Sequence, residues 1–248
     1  PMELSLSEME ISEPAYQPAR DLFSELEFMI LLEELVPPEQ GGTADYRKVD
    51  NGGQLKALAS DLEQTQAALA LAYTDGSDLE ETLQALSVSH QAGKARYLPA
   101  EVLQEEEGGV KQLIELAKQW VTHDLKALCG IAHRRQWKLT SNIQDTMLMA
   151  YLLNPNQKDF SLERLALDHL HHKFQQVGAD DSGLFGEESA DRLCERADVT
   201  LQLFDVLDRQ LQEKHLDELL ETIELPLVRV LARMEEQGVK VDCDLLKQ

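Results

Sequence analysis

Gln144-Asp145-Thr146-Met147-Leu148-Met149-Ala150-Tyr151-Leu152-Leu153-Asn154 is the stretch on which the reading of this chain turns. Asp145 and Thr146 offer side-chain oxygens at the head of an apolar run, the pattern of a capped helix start. Asn154-Pro155 closes the run, because the residue before a proline is pushed out of the helical region. The stretch predicts a buried helix with a definite beginning and end.

Downstream, Ser161–His172 carries Leu162, Leu165, Leu167 and Leu170 and reads as a helix. Gly178–Gly186 is a polar loop, Ser189–Gln212 one long helix, and Leu216–Gln237 one or two more around Pro226. Upstream, Leu55, Leu58 and Leu62 make Gln54–Gln66 helical, and the small apolar run Ala67–Tyr73 suits a buried strand, with a turn over Thr74–Asp78. Leu83–Ser89 and Lys94–Leu98 form a hairpin around Gln91-Ala92-Gly93. Val110–Gln119 is predicted helical, Trp120-Val121-Thr122 a short strand, Leu125–Gln136 a helix and Lys138-Leu139 another strand element. This order predicts a mixed α/β domain over residues 54–212, followed by a helical connection over 213–248.

Residues 1–53 read as a linker with a helical extension. Pro1–Pro14 is acidic and patternless. Tyr16–Val36 places Leu22, Phe23, Leu26, Met29, Ile30 and Leu31 at helical spacing, and Pro37-Pro38 ends that pattern. Glu39–Gly53, with two Gly-Gly pairs, is predicted to be a loop or disordered connector.

Composition narrows the classes. An apolar fraction of 43% supports a real core, and no apolar run reaches the roughly 18–20 residues of a membrane span. Cys129, Cys194 and Cys243 are odd in number and widely spaced, which argues against a disulfide framework or zinc site and for a reducing cytoplasm. The start has no signal-peptide pattern, and both ends look like those of an excised fragment. A net charge of −23 repels phosphate, so any DNA affinity is expected to come mainly from another part of a parent polypeptide.

Three blocks together carry a resemblance: the Asp145-Thr146-Met147 to Asn154 stretch, Ala197-Asp198-Val199-Thr200-Leu201-Gln202-Leu203, and the run from Glu224-Leu225-Pro226-Leu227 to Asp242. The chain resembles the 3′–5′ exonuclease region of bacterial DNA polymerase I, a family A polymerase. The segment Ala19–Leu35 is similar to the one that follows the 5′-nuclease domain there. The resemblance implies an RNase H-like fold, a mixed sheet flanked by helices. It also implies a parent DNA-directed DNA polymerase, acting in replication or repair and using Mg2+, with the rest of that chain as partner, DNA bound through the parent, and no membrane.

Exonucleases of this type use four carboxylates to hold two divalent cations about 3.5–4 Å apart, which activate water and neutralise the leaving oxyanion. The family places them as D-x-E on a strand, then in N-x-x-x-D and Y-x-x-x-D on helices. Thr74-Asp75 aligns the first motif on Leu71-Ala72-Tyr73, so Leu71 and Tyr73 stand where Asp and Glu are required, and no register within Ala67–Tyr73 supplies an acid. Counting back from Asp145 puts Asp124 at the Asn and Leu128 at the ligand position. Ala197-Asp198 puts Arg192 at the Tyr and Arg196 at the last ligand position. The resemblance therefore implies a degenerate, non-catalytic exonuclease-like domain that holds no metal, with Leu71 and Leu128 filling its pocket.

Other signals weigh less. Asp75 and Asp78 read as turn residues, Asp124 and Asp145 as helix caps, His123 as a loop histidine, and His171-His172 as a solvated helix face. Arg192 and Arg196 are expected to pair with nearby acids. His133-Arg134-Arg135-Gln136-Trp137-Lys138 is the only concentrated basic stretch, which makes Arg134, Arg135 and Lys138 candidates for DNA contact. Two rivals stand beside the structural reading: an exonuclease with unconventional ligands drawn from Asp75, Asp78, Asp124 and Asp198, and a protein-docking module suggested by the acidic surface.

Overall fold

The computed structural model describes residues 44–63, 65–74, 82–139, 142–174 and 189–240, with scattered positions between 19 and 31. The readings of Pro1–Pro14, of most of Tyr16–Val36, of Pro37-Pro38, of Asp75 and Asp78 in the first turn, and of Gly178–Gly186 lie outside the described residues. So does Cys243; Cys129 and Cys194 are free thiols.

The chain runs through β1 (Asp45–Lys48), α1 (Gly52–Leu62), β2 (Gln66–Thr74), β3 (Thr82–Gln91), β4 (Lys94–Pro99), α2 (Ala100–Glu105) and α3 (Glu107–Leu116). It continues through β5 (Gln119–Thr122), α4 (Leu125–Arg134), β6 (Ile143–Asp145), α5 (Thr146–Leu153), α6 (Leu162–Leu170) and the long α7 (Ala190–Glu213). A short α8 (Asp217–Leu219) passes through a π-helical turn (Leu220–Glu224) into α9 (Leu225–Gln237). The strands form one mixed sheet in the order β1-β4-β3-β2-β5-β6. β2, β3 and β4 are antiparallel; β1 joins β4, β5 joins β2 and β6 joins β5 in parallel. This is the mixed α/β arrangement that the order of predicted elements implied, with the RNase H-like form that the family resemblance implied.

Several helix starts have a local cause. Asn51, Asp124, Ser161 and Ser189 each accept a hydrogen bond from a backbone N–H in the first turn of α1, α4, α6 and α7. α7 crosses the sheet where the side chains are small: Ala70, Ala72 and Ala85 pack with Leu193 and Ala197 of the helix. Its buried Asp198 then anchors it. One carboxylate oxygen accepts from the Tyr46 hydroxyl (2.9 Å); the other accepts from the Gly93 N–H (2.9 Å) and the Gln202 amide (3.0 Å). Gly93 sits at φ 77, the left-handed conformation its tight turn needs. Burial and the Asp198 charge push the Tyr46 hydroxyl's pKa upward, so it remains a donor to that carboxylate.

The structure corrects several expectations. Glu39–Gly53 is not simply a connector, since Asp45–Lys48 pairs in register with Lys94–Tyr97. As a charged edge strand it has one unpaired side and no hydrophobic alternation to reveal it. Ala100–Glu105 is helical, and Gln119 belongs to β5 rather than to the preceding helix. Lys138-Leu139 forms no strand; the pairing element is Ile143–Asp145, so Gln144 and Asp145 end a strand and the following helix begins at Thr146. α6 stops at Leu170, and His171 takes a left-handed φ of 53 beyond it. His171 and His172 are half-buried rather than a solvated helix face, and His172 pairs with Glu195 at 2.9 Å.

Asp145 ties these elements together. Its Oδ1 accepts from the Met147 N–H (2.8 Å) and Leu148 N–H (3.4 Å) of α5, and its Oδ2 from the Leu125 N–H (2.9 Å) of α4. One carboxylate thus caps two helices that leave adjacent parallel strands. Burial pushes its pKa up to about 7 against the opposing pull of those N–H groups. The unfolded chain ionises this group near 3.8, so between the two values the folded state holds the extra proton. Its contribution favours folding most below the lower value and is lost as pH rises to the upper one. Urea midpoints taken from about pH 4 to about pH 7 should therefore fall in the native protein, with a shallower slope in Asp145→Asn. Asp145→Ala, which strips the acceptor from all three N–H groups, should cost about 2–4 kcal/mol in the same measurement.

Candidate functional site

A cleft of about 250 Å³ opens at the ends of β2 and β5. Its walls are Leu69, Leu71 and Tyr73 from β2, Thr122, His123 and Asp124 after β5, Ala127 of α4, Ser161 to Glu163 at the head of α6, and Arg196 and Thr200 of α7. A register shift between Ala72 and Tyr73 sets the exposed Tyr73 at the rim.

The framing of the cleft follows from Asp145 and Thr146. Asp145 fixes the start of α4, and Thr146 reaches His123, whose Nδ1 lies 2.8 Å from the threonine Oγ1. The other ring nitrogen, Nε2, is 3.0 Å from the Phe160 carbonyl, which can only accept; the proton therefore resides on Nε2 and Nδ1 accepts from the threonine hydroxyl. Burial, and after it the Arg196 charge, lowers the His123 pKa to about 4, so the ring is neutral near pH 7. His123 is a loop histidine, in the bend between β5 and α4, and it is packed as a strut between β5, α5 and the approach to α6.

The charges in the cleft cancel one another. Arg196 Nη1 lies 2.7 Å and Arg192 Nη2 3.1 Å from the same Oε1 of Glu163, joining α7 to α6. Arg192 also stands over the Phe174 ring at 5.5 Å. Both arginines thus meet an acid, as expected of guanidiniums one helical turn apart. Glu163 itself carries no sequence signal beyond the common preference for acids in a first helical turn, and its partners lie 29 and 33 residues away. Asp124, the other acid of the cleft wall, caps α4 through the Ala127 N–H at 3.0 Å.

The five degenerate family positions do not all meet at the cleft. Leu71, Tyr73 and Arg196 line it; Arg192 lies one turn away on α7 and joins it through Glu163. Leu128 does not fill the pocket: it is wholly buried in the main core, and Ala127 is the α4 residue that faces the opening. A pair of divalent cations needs several anionic oxygens converging on one point. Among the described residues the acids lining the cleft are Asp124, engaged as a cap, and Glu163, engaged by two arginines, while a guanidinium stands beside them. This donor set does not fit a two-metal centre, and no group of three or more His, Cys, Asp or Glu with metal-binding geometry occurs among the described residues. Asp198 is turned to Tyr46 and Gly93 and is not among the lining residues.

The basic stretch at the end of α4 and just beyond it divides. Trp137 is buried and offers no face to a nucleobase, while His133 is exposed and pairs with Glu236. Arg135 is half-buried and donates to the Leu83 carbonyl at 3.4 Å, while Arg134 and Lys138 are exposed. Placing acids back at the family positions should have unequal outcomes. Leu128→Asp puts a charge in the core and should cost about 4 kcal/mol or more, whereas Tyr73→Glu at the rim should cost less than about 1 kcal/mol, both read from urea denaturation.

Comparison with known proteins assigns the family and the fold. Residues 73–201 fit the family model described as DNA polymerase I, ribonuclease H-like domain. DNA polymerase I of Mycobacterium bovis is 29% identical over 247 residues, covering 92% of this chain and 27% of that protein. The chain thus spans about a quarter of that relative's length. A solved structure described as the POL domain of Pol1 from M. smegmatis, in complex with DNA primer-template and dNTP, superposes with a TM-score of 0.68 at 27% identity, covering 82% of this chain and 34% of that one. Brucella melitensis NrnC with bound Mg2+ shares the fold, with a TM-score of 0.63 at 12% identity, covering 82% of this chain and 98% of that one. The chain belongs to the DNA polymerase I ribonuclease H-like domain family.

Proposed function

We propose that this chain is the exonuclease-fold region of a DNA polymerase I acting in replication or repair in the cytoplasm, and that it serves as a non-catalytic structural domain supporting the polymerase. The observation that carries the reading is the Glu163 carboxylate held between Arg192 and Arg196 beside Leu71 and Tyr73. Two cations brought to this cleft would meet a guanidinium: near 4 Å, the repulsion per unit charge is about 4 kcal/mol at an effective dielectric of 20. The polymerase portion supplies synthesis and its Mg2+, and it supplies most of the DNA affinity, since a net charge of −23 opposes phosphate here. Arg134, exposed at the end of α4, and Lys138, exposed beyond it, add at most a weak backbone contact.

A 5′-labelled single strand incubated with the purified chain and manganese should stay intact. Stepwise shortening from the 3′ end, abolished by Asp124→Ala, would instead establish an exonuclease with unconventional ligands. The melting temperature should likewise be unmoved by magnesium or manganese, and a rise of several degrees would sink the reading.

A further inference from the structure

Glu163 occupies a seat suited to an anionic ligand. Arg192 and Arg196 stand one turn apart on α7 and converge on it, Nη2 at 3.1 Å and Nη1 at 2.7 Å from the same oxygen, Oε1. Two guanidinium forks brought to one point can recognise an oxyanion with several acceptor oxygens, and a carboxylate whose one oxygen serves both matches them poorly. A phosphate group carries more charge and three strong acceptor oxygens, enough to give each fork its own. Neighbouring groups shape the seat. The Phe174 ring lies 5.5 Å from the Arg192 guanidinium carbon and steadies that fork. Arg196 lines the cleft together with Ser161 and Thr200, whose hydroxyls are further donors, and with the apolar Leu69 and Leu71. The seat adjoins the first turn of α6, the end of a helix that favours negative charge. With Glu163 in place, an incoming anion meets two arginines already offset by Glu163 and Asp124. The Glu163 side chain is 40% accessible, so it can turn into solvent and yield both forks to a competitor.

We propose that Arg192 and Arg196 form a metal-independent binding site for a phosphate group, free or as a small monoester, latched shut by Glu163 until the ligand displaces it. The inference shares its cluster with the non-catalytic reading and goes beyond it. Calorimetric titration of the 248-residue chain in EDTA, with inorganic phosphate and with phenyl phosphate, tests it. The native chain should bind weakly. Glu163→Gln, which keeps the shape but not the charge, should tighten binding about fivefold or more. Arg196→Met in the Glu163→Gln background should abolish it. Should that chain fail to fold, Arg196→Lys, which keeps the charge without the fork, must still weaken binding relative to Glu163→Gln alone. Glu101→Gln, which removes the same charge from the exposed start of α2, should leave the affinity of the native chain unchanged. Tighter binding of phenyl phosphate identifies a monoester as the ligand, and equal affinity identifies free phosphate; either bears out the site. No binding by the Glu163→Gln chain, an equal gain from Glu101→Gln, or binding indifferent to the Arg196 substitutions would each overturn it. Binding that appears only when manganese replaces EDTA would overturn the non-catalytic reading as well, whereas a silent titration beside an intact labelled strand removes the phosphate site alone.

Discussion

The cleft depends on a carboxylate that takes no part in lining it. Asp145 lies at the end of β6, opposite Thr122 of β5 in the parallel register, and its two oxygens bind backbone N–H groups at the heads of both following helices. Parallel strands leave their helices starting side by side, with unsatisfied donors crowded together. A single buried acceptor satisfies several of them and fixes the offset between α4 and α5. Thr146 and His123 extend the brace to the Phe160 carbonyl, and so to the start of α6. Three walls of the cleft are therefore set by consecutive residues of one short motif.

Within that frame the electrostatics differ from those of a metal-dependent nuclease. A cluster of carboxylates repels itself and favours bound cations; here Glu163 bridges two arginines with Asp124 on the facing wall, and among the described residues the charges at the cleft offset one another. The pair is partly exposed, with the Glu163 side chain 40% accessible, so its contribution to stability is modest, about 1 kcal/mol or less. Its larger effect is geometric. It holds α7 against α6 at a place where the sheet offers leucine and tyrosine.

Much of the fold was legible because helices announce themselves locally. Leu55, Leu58 and Leu62, the serine caps of α6 and α7, and the apolar run of β2 all obey short-range rules. β1 escaped because a four-residue edge strand of charged and aromatic side chains carries no alternation. β6 escaped because three residues ahead of a helix cap look like the helix itself. At the site, the motif frame singles out Leu71, Tyr73 and Arg196, and these three line the cleft. It could not orient Leu128, whose neighbour Ala127 faces the opening, since one residue along a helix is about 100° of rotation. Asp198 was similarly out of reach: it sits in a recognisable block, yet its partner Tyr46 is 152 residues away.

The π-helical turn at Leu220–Glu224 has a consequence for everything after it. Its widened winding leads directly into Pro226, which lacks the N–H that a regular α-turn would demand and sits at the start of α9, where none is missed. The turn lodges one more residue than an α-helical path of the same length. Were it rewound regularly, the rest of the rod would swing by about 100°, Leu225 and Val228 would leave their seats, and an outward edge would rotate toward the core. The phase of the last helix, and with it the division between what the protein hides and what it shows, is kept by that single surplus residue.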